Sequence, residues 1–156
     1  MAVFGKAQYI KRVEDDRLLT GTGGFTDNLT RANQAHVVLV RSPHAHAKIS
    51  RIDTTEAKKA PGVVAVFTWE DMAKEGAGDF SFPAMFPNAD GSKPEMTPRR
   101  SLAREVVRYV GEAVVAIVAE THGQAQDAVE LVEVDYDPLP SVSTIEDALK
   151  PGAPQV

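Results

Sequence analysis

Residues 106–136 read VVRYVGEAVVAIVAETHGQAQDAVELVEVDY, and this stretch decides the fold class. Residues 106–110 are β-branched or aromatic except for Arg108, the composition strands prefer. Gly111 and Glu112 make a turn, and the apolar run 113–119 is a second strand. Thr121 with Gln124 three residues later is the signature of a capping box, which opens a helix. Ala125, Ala128, Val129 and Val132 then recur at the i, i+3, i+4, i+7 spacing of one buried helix face. Residues 132–136 alternate as a further strand, and Asp137-Pro138-Leu139-Pro140 breaks it.

Outward from that stretch the same vocabulary recurs. Residues 35–41 hold the continuous run Val37-Val38-Leu39-Val40, as expected for a strand buried on both faces. Ser42-Pro43 ends it, because proline cannot donate to the ladder. Residues 47–52 alternate imperfectly and are also expected to be a strand. Asp53-Thr54-Thr55 offers a helix cap, residues 56–60 favour a helix, and Pro61-Gly62 stops it. Residues 63–67 form a third short strand. Thr68 with Asp71 introduces a short helix, and Ser143 with Glu146 another near the C-terminus. Two strands meet at the Gly111 turn while others alternate with helices. The expectation is therefore an α+β domain, a mixed β-sheet with helices packed on one side.

Three segments stand apart. Residues 1–34 have few apolar runs and read as an arm, with one helical turn near Asp15 to Leu19. Residues 74–101 are rich in glycine and proline yet contain Phe80, Phe82, Met85, Phe86 and Met96. An apolar loop this long should dock on something, either the domain's own core or a neighbouring surface. Residues 151–156 end the chain without completing any element and read as a linker.

Composition bounds the function. Of the 156 residues 43% are hydrophobic and 25% charged, and the net charge is -5. These are ordinary values for a globular domain. No basic face suggests a nucleic-acid partner. No apolar run is long enough to span a membrane, and no secretory signal opens the chain. There is no cysteine, so neither disulfides nor iron–sulfur ligation can arise within it. A cytoplasmic location is expected.

No catalytic constellation emerges. His44 and His46 are spaced to share one strand face and could ligate a metal, but no third ligand is evident. The alternative is that they brace the turn after Pro43. Ser42 beside His44 lacks an orienting acid. Gly21-Thr22-Gly23-Gly24 could cradle phosphate but lacks the following lysine and neighbouring strand of a phosphate loop. Glu112 sits in a turn between two apolar strands, placed for acid–base work, for a salt bridge or to cap exposed backbone N–H groups. The acidic pairs Asp15-Asp16, Glu70-Asp71 and Glu146-Asp147 lie at helix starts, where the macrodipole favours them.

Four blocks together resemble one family. They are Arg12-Val13-Glu14-Asp15-Asp16-Arg17-Leu18-Leu19-Thr20-Gly21; Val40-Arg41-Ser42-Pro43-His44-Ala45-His46-Ala47-Lys48-Ile49 with Pro61-Gly62-Val63; Val107-Arg108-Tyr109-Val110-Gly111-Glu112; and Val132-Glu133-Val134-Asp135-Tyr136-Asp137-Pro138-Leu139-Pro140. In order and spacing they are similar to the a/b hammerhead domain that opens the molybdenum-binding large subunit of xanthine dehydrogenase/aldehyde oxidase-type enzymes. The multi-subunit, carbon monoxide dehydrogenase-like bacterial members are the better match. The resemblance implies a hammerhead at 35–150 and, beyond it, a cofactor-binding portion that this sequence does not contain.

It also implies a place in oxidative hydroxylation with water as the oxygen source, as scaffold and interface rather than catalyst. The molybdopterin cytosine dinucleotide would sit in the rest of the large subunit, with [2Fe-2S] and FAD on partner iron–sulfur and flavin subunits. No catalytic, cofactor-binding or metal residue is carried over. Phe82, Phe86, Met96, Leu102, Gly111 and Glu112 are the expected contacts to a substrate funnel or domain interface. The rival reading is a free-standing, non-enzymatic binding or assembly module.

Overall fold

The structure, a computed structural model, describes residues 12–80, 86–94 and 99–156. It divides into two units, Met1–Gln34 and Ala35–Val156. In the first, α1 (Asp15–Leu19) is followed by Gly21 at φ +71°. The N–H groups of Thr22 and Gly23 both donate to the Arg17 carbonyl, at 2.9 and 3.0 Å, which closes the helix end.

The second unit carries the strands β1 (His36–Arg41), β2 (Ala47–Asp53), β3 (Val63–Phe67), β4 (Val106–Val107), β5 (Ala113–Ala119) and β6 (Glu133–Pro138), and the helices α2 (Trp69–Lys74), α3 (His122–Val129) and α4 (Ile145–Ala148). The α+β class is as expected. The strands distribute into two sheets, ordered β1-β5-β3 and β4-β2-β6, and every pairing is antiparallel. β5 is apolar throughout because it is central: Val114, Val115, Ile117 and Ala119 have no exposed surface. Helix α3 lies against β1 and β5 through Ala125 and Ala128, both fully buried. Small side chains there let the helix approach closely, and the core runs on into Ala47 and Val107 of the second sheet.

Three local expectations shift. Only Val106 and Val107 of the run 106–110 are strand, and they pair with β2, not with β5. The Gly111 turn is therefore no hairpin; it carries the chain from one sheet to the other. The segment expected as a helix at 56–60 is a single 3-10 turn, Ala57–Lys59. Pro61 is the reason, since it pushes the preceding residue out of the helical region and Ala60 sits at φ -64°, ψ 143°. The cap of α4 is Thr144, one residue beyond the expected Ser143; its hydroxyl accepts from the Asp147 N–H at 3.1 Å. The cap of α3 forms as expected. Thr121 Oγ1 accepts from the Gln124 N–H at 3.2 Å, and Gln124 Oε1 accepts from the Thr121 N–H at 3.1 Å.

Candidate interface at the corner between the sheets

The link from β1 to β2, the turn from β4 to β5 and the end of β6 converge at one corner. The β1–β5 register slips between Val40 and Arg41, leaving Val114 without a partner in β1. Such a bulge re-aims the side chain beside it. Arg41 Nη1 accordingly reaches the Gly111 carbonyl at 2.8 Å. Gly111 donates to the Ser42 carbonyl at 2.8 Å, and Ser42 donates back to the Glu112 carbonyl at 2.9 Å. Gly111 has φ +90°, a conformation that glycine adopts without strain.

Ser42 is 2% exposed. Its Oγ accepts from the His44 N–H at 3.0 Å and donates to the His44 carbonyl at 3.2 Å. Those are backbone bonds, so the hydroxyl is a turn-former and has no imidazole base. His44 tilts against the Tyr136 ring, centroids 4.9 Å apart. Burial raises the Tyr136 phenol above its usual value, against an opposing hydrogen bond to Ser42. His46 Nδ1 hydrogen-bonds to the Pro140 carbonyl at 2.7 Å, and Leu139 donates to the His46 carbonyl at 2.9 Å. The two histidines thus brace different segments and do not converge on a metal. Among the described residues no group of three or more metal-ligating side chains comes together.

Glu112 Oε2 accepts the Arg108 N–H at 2.6 Å, which binds the carboxylate to backbone. Of its expected roles, that is the capping of backbone N–H groups. What the turn presents outward is apolar: Tyr109 is 60% and Val110 65% exposed. Sequence reading gave both to a strand; a glycine at positive φ straight after them is the signal that they top a turn.

Among the other expected contacts, Phe86 is 75% exposed. Leu102 is 3% exposed, so its side chain lies inside the chain. Phe82 and Met96 lie outside the described residues. The base of their loop is closed by Phe80 and Arg99, whose N–H groups donate to each other's carbonyls at 2.7 and 3.2 Å. Beside that bridge, Arg100 lies 3.3 Å from Asp79 and 5.8 Å from the centroid of Trp69. A cleft of about 540 Å³, unforeseen in the sequence, is lined by Trp69, Glu70, Ala73, Lys74, Arg104 and Glu105. Its charges are of both signs.

The glycines at 21–24 do not form an anion cradle. Two of the N–H groups there are spent on the Arg17 carbonyl, and a Cβ on Gly23 would meet Leu18 Cδ2 at 2.8 Å. Close packing accounts for Gly23. Among the described residues no helix is long and apolar enough to cross a membrane.

Residues 20–140 match the family described as aldehyde oxidase and xanthine dehydrogenase, a/b hammerhead domain. The chain is 42% identical over 146 residues to the 6-hydroxypseudooxynicotine dehydrogenase complex subunit gamma of Paenarthrobacter nicotinovorans, covering 91% of this chain and 18% of that one. It is 38% identical over 144 residues to the carbon monoxide dehydrogenase large chain of Afipia carboxidovorans, covering 92% and 16%. Among solved structures, quinoline 2-oxidoreductase from Pseudomonas putida 86 superposes with a TM-score of 0.80 at 38% identity, covering 90% of this chain and 17% of that one. The chain therefore spans under a fifth of the length of these relatives.

Proposed function

The chain belongs to the a/b hammerhead family of aldehyde oxidases and xanthine dehydrogenases, and on that premise we propose that it serves as the scaffold and interface domain of a molybdenum hydroxylase large subunit. The whole assembly would carry out oxidative hydroxylation with water as the oxygen source. The observation that carries this reading is the corner itself. Its polar groups are spent on backbone bonds that fix three segments together, while Tyr109 and Val110 stand out into solvent. An apolar tip on a rigid, hydrogen-bonded base is built to be covered by another surface. Phe86, Gly111 and Glu112 belong to that surface in this reading; Leu102 supports it from inside.

The residues present do not fit the cofactors of such an enzyme. Without cysteine the chain offers no ligand set for [2Fe-2S]. The glycine-rich turn at 21–24 has the N–H groups of Gly21, Thr22 and Gly23 engaged, so it is no cradle for the diphosphate of molybdopterin cytosine dinucleotide. Those groups and FAD belong, in this proposal, to the remainder of the large subunit and to iron–sulfur and flavin partner subunits.

The test is recovery of partners by tagged chain from the extract of its own cell, with metal analysis and mass spectrometry. A larger molybdenum-containing polypeptide should come with it, and Tyr109→Asp with Val110→Asp should lose that partner while the circular dichroism stays unchanged. Recovery of folded chain alone would sink the proposal and leave a free-standing binding or assembly module.

A further inference from the structure

The strands of the two sheets are written differently. In the first sheet, residues 37–40 of β1, all of β3 and all of β5 are apolar without interruption. Continuous apolar runs mark strands covered on both faces, whereas a sheet with one wet face mixes in polar residues. The second sheet does mix them in: Lys48, Ser50, Arg51, Glu133, Asp135 and Asp137 are all exposed. Arg51 there lies 2.6, 3.5 and 3.4 Å from the carboxylates of Asp53, Glu133 and Asp135. That sheet is finished toward water, and the first is not.

The register shows what the first sheet leaves open. Val37 pairs with Val118, and Val118 with Ala65; Leu39 pairs with Ala116, and Ala116 with Phe67. Cross-strand partners share a face, so these six form two rows across three strands with no polar side chain among them. The row between them, Val38–Ile117–Val66, points the other way, into the core, and none of the six belongs to that core. Helix α3 packs on the core side through Ala125 and Ala128. Ala116 and Val118 have a strand on either side, yet both keep exposed surface, while Val115 and Ile117 keep none. Val37 is 59% exposed. The outer face therefore reaches solvent, although its sequence is that of a buried one.

We propose that this outer face seats the apolar stripe of a helix carried by the remainder of the large subunit, an inference that rests on the reading of the chain as a large-subunit domain. Three strands about 4.8 Å apart span about 10 Å, the diameter of one helix. The two rows cover roughly 200 Å² of sheet, well short of the about 800 Å² that each partner gives to a stable interface between free proteins. A second copy is not held by so small a face. It suits a helix kept nearby by other contacts or by chain connection, which raises its effective concentration. The remainder of a large subunit supplies that tether, since this chain spans under a fifth of the length of its relatives. The corner adds a second contact, because β5 leaves it directly, Ala113 following Glu112. The stripe must be uncharged, as a charge set against these six residues would lose its water and find no partner.

The absence of cysteine makes the test direct, because one introduced thiol is the only thiol in this chain. Val37→Cys and Phe67→Cys report on the outer face, and Lys48→Cys on the wet face of the second sheet. Maleimide labelling of each tagged variant is followed by mass spectrometry, free and in complex with the molybdenum-containing polypeptide recovered from the extract of its own cell. Labelling should slow at least about tenfold in the complex at positions 37 and 67 and stay unchanged at position 48. A benzophenone maleimide on the Val37→Cys thiol should cross-link to an apolar helical segment of that polypeptide. Circular dichroism checks that each variant folds. Unchanged labelling at 37 and 67 in the complex, or cross-links to a charged surface, would overturn the inference alone. Recovery of no such polypeptide overturns the large-subunit reading and the inference together. A dimer of the free chain that Val37→Lys disperses on sedimentation makes a second copy the occupant and also overturns it.

Discussion

Replacing Gly62 with alanine probes how the 3-10 turn, the first sheet and α3 are locked together. Gly62 has φ +76°, and its carbonyl accepts from the Glu120 N–H at 2.9 Å, which ties it to the end of β5. A left-handed backbone costs an L-residue about 1–2 kcal/mol. The new Cβ would also collide with the carboxamide of Gln124, meeting Cδ, Nε2 and Oε1 together. That carboxamide is the reciprocal half of the α3 capping box, with Oε1 accepting from the Thr121 N–H at 3.1 Å and from the Thr121 hydroxyl at 2.9 Å. Moving it aside gives up a cap worth about 0.5–2 kcal/mol. The sum is about 1.5–4 kcal/mol, a large part of the roughly 5–15 kcal/mol that holds a domain folded. For a domain of this size it lowers Tm by about 10 °C. Urea unfolding followed by far-ultraviolet circular dichroism reads the change as a lower midpoint at unchanged slope. In Gly62→Ala with Gln124→Ala the obstacle is gone, so the double variant should be less destabilised than the sum of the singles by about 1 kcal/mol. A loss below about 0.5 kcal/mol in Gly62→Ala, or strict additivity in the pair, would refute the reasoning.

Three further outcomes follow from the same geometry. Ile117→Ala, at a fully buried position in the central strand, should cost about 2–5 kcal/mol by urea unfolding. Ser42→Ala leaves the His44 N–H without its acceptor and should cost about 1–3 kcal/mol; amide exchange should quicken at His44 and Gly111 before it does at Ile117. The Asp53 carboxyl is lowered from 3.8 to about 2, first by the N–H of Thr55 at 2.9 Å and then by the Arg51 guanidinium. Because the folded value is the lower one, its contribution is complete above pH 3.8 and is withdrawn as pH falls through about 2. Asp53→Asn should flatten the stability profile in that acid window and leave the profile near neutrality with the same slope, read by acid titration of the circular dichroism signal.

The regular elements were legible where one local rule governs each. The Thr121–Gln124 capping box, the Ala125 and Ala128 face and the apolar strand at 113–119 are all specified by residues close in sequence. One error falls where a distant partner decides. The run at 106–110 has strand composition apart from Arg108, but β2 offers pairing only to Val106 and Val107. Nothing within those five residues reveals how far the neighbouring strand extends. The 56–60 segment had good helix formers, and Pro61 overrode them through a steric effect on Ala60. The division into two sheets was hidden because it depends on pairings between elements far apart in the chain.

The corner shows why the blocks that carry a family resemblance need not be catalytic. Arg41-Ser42-Pro43-His44, Gly111-Glu112 and Tyr136-Asp137-Pro138-Leu139-Pro140 contain the side chains that invite a chemical reading: a serine beside a histidine, paired histidines, and a carboxylate in a turn. In the fold each is consumed locally. Ser42 binds the backbone of His44, His46 the carbonyl of Pro140, and Glu112 the amide of Arg108. Three loops from different elements cannot hold a common shape through backbone bonds alone, since each has N–H and carbonyl groups left over at its strand ends. Short polar side chains supply the missing partners, and the fixed spacing of the blocks follows from that requirement. The outward product is a rigid turn with Tyr109 and Val110 on top. Rigidity at an apolar tip lowers the ordering cost of association, so under the proposed function the residues that look catalytic in the sequence hold a docking surface in shape.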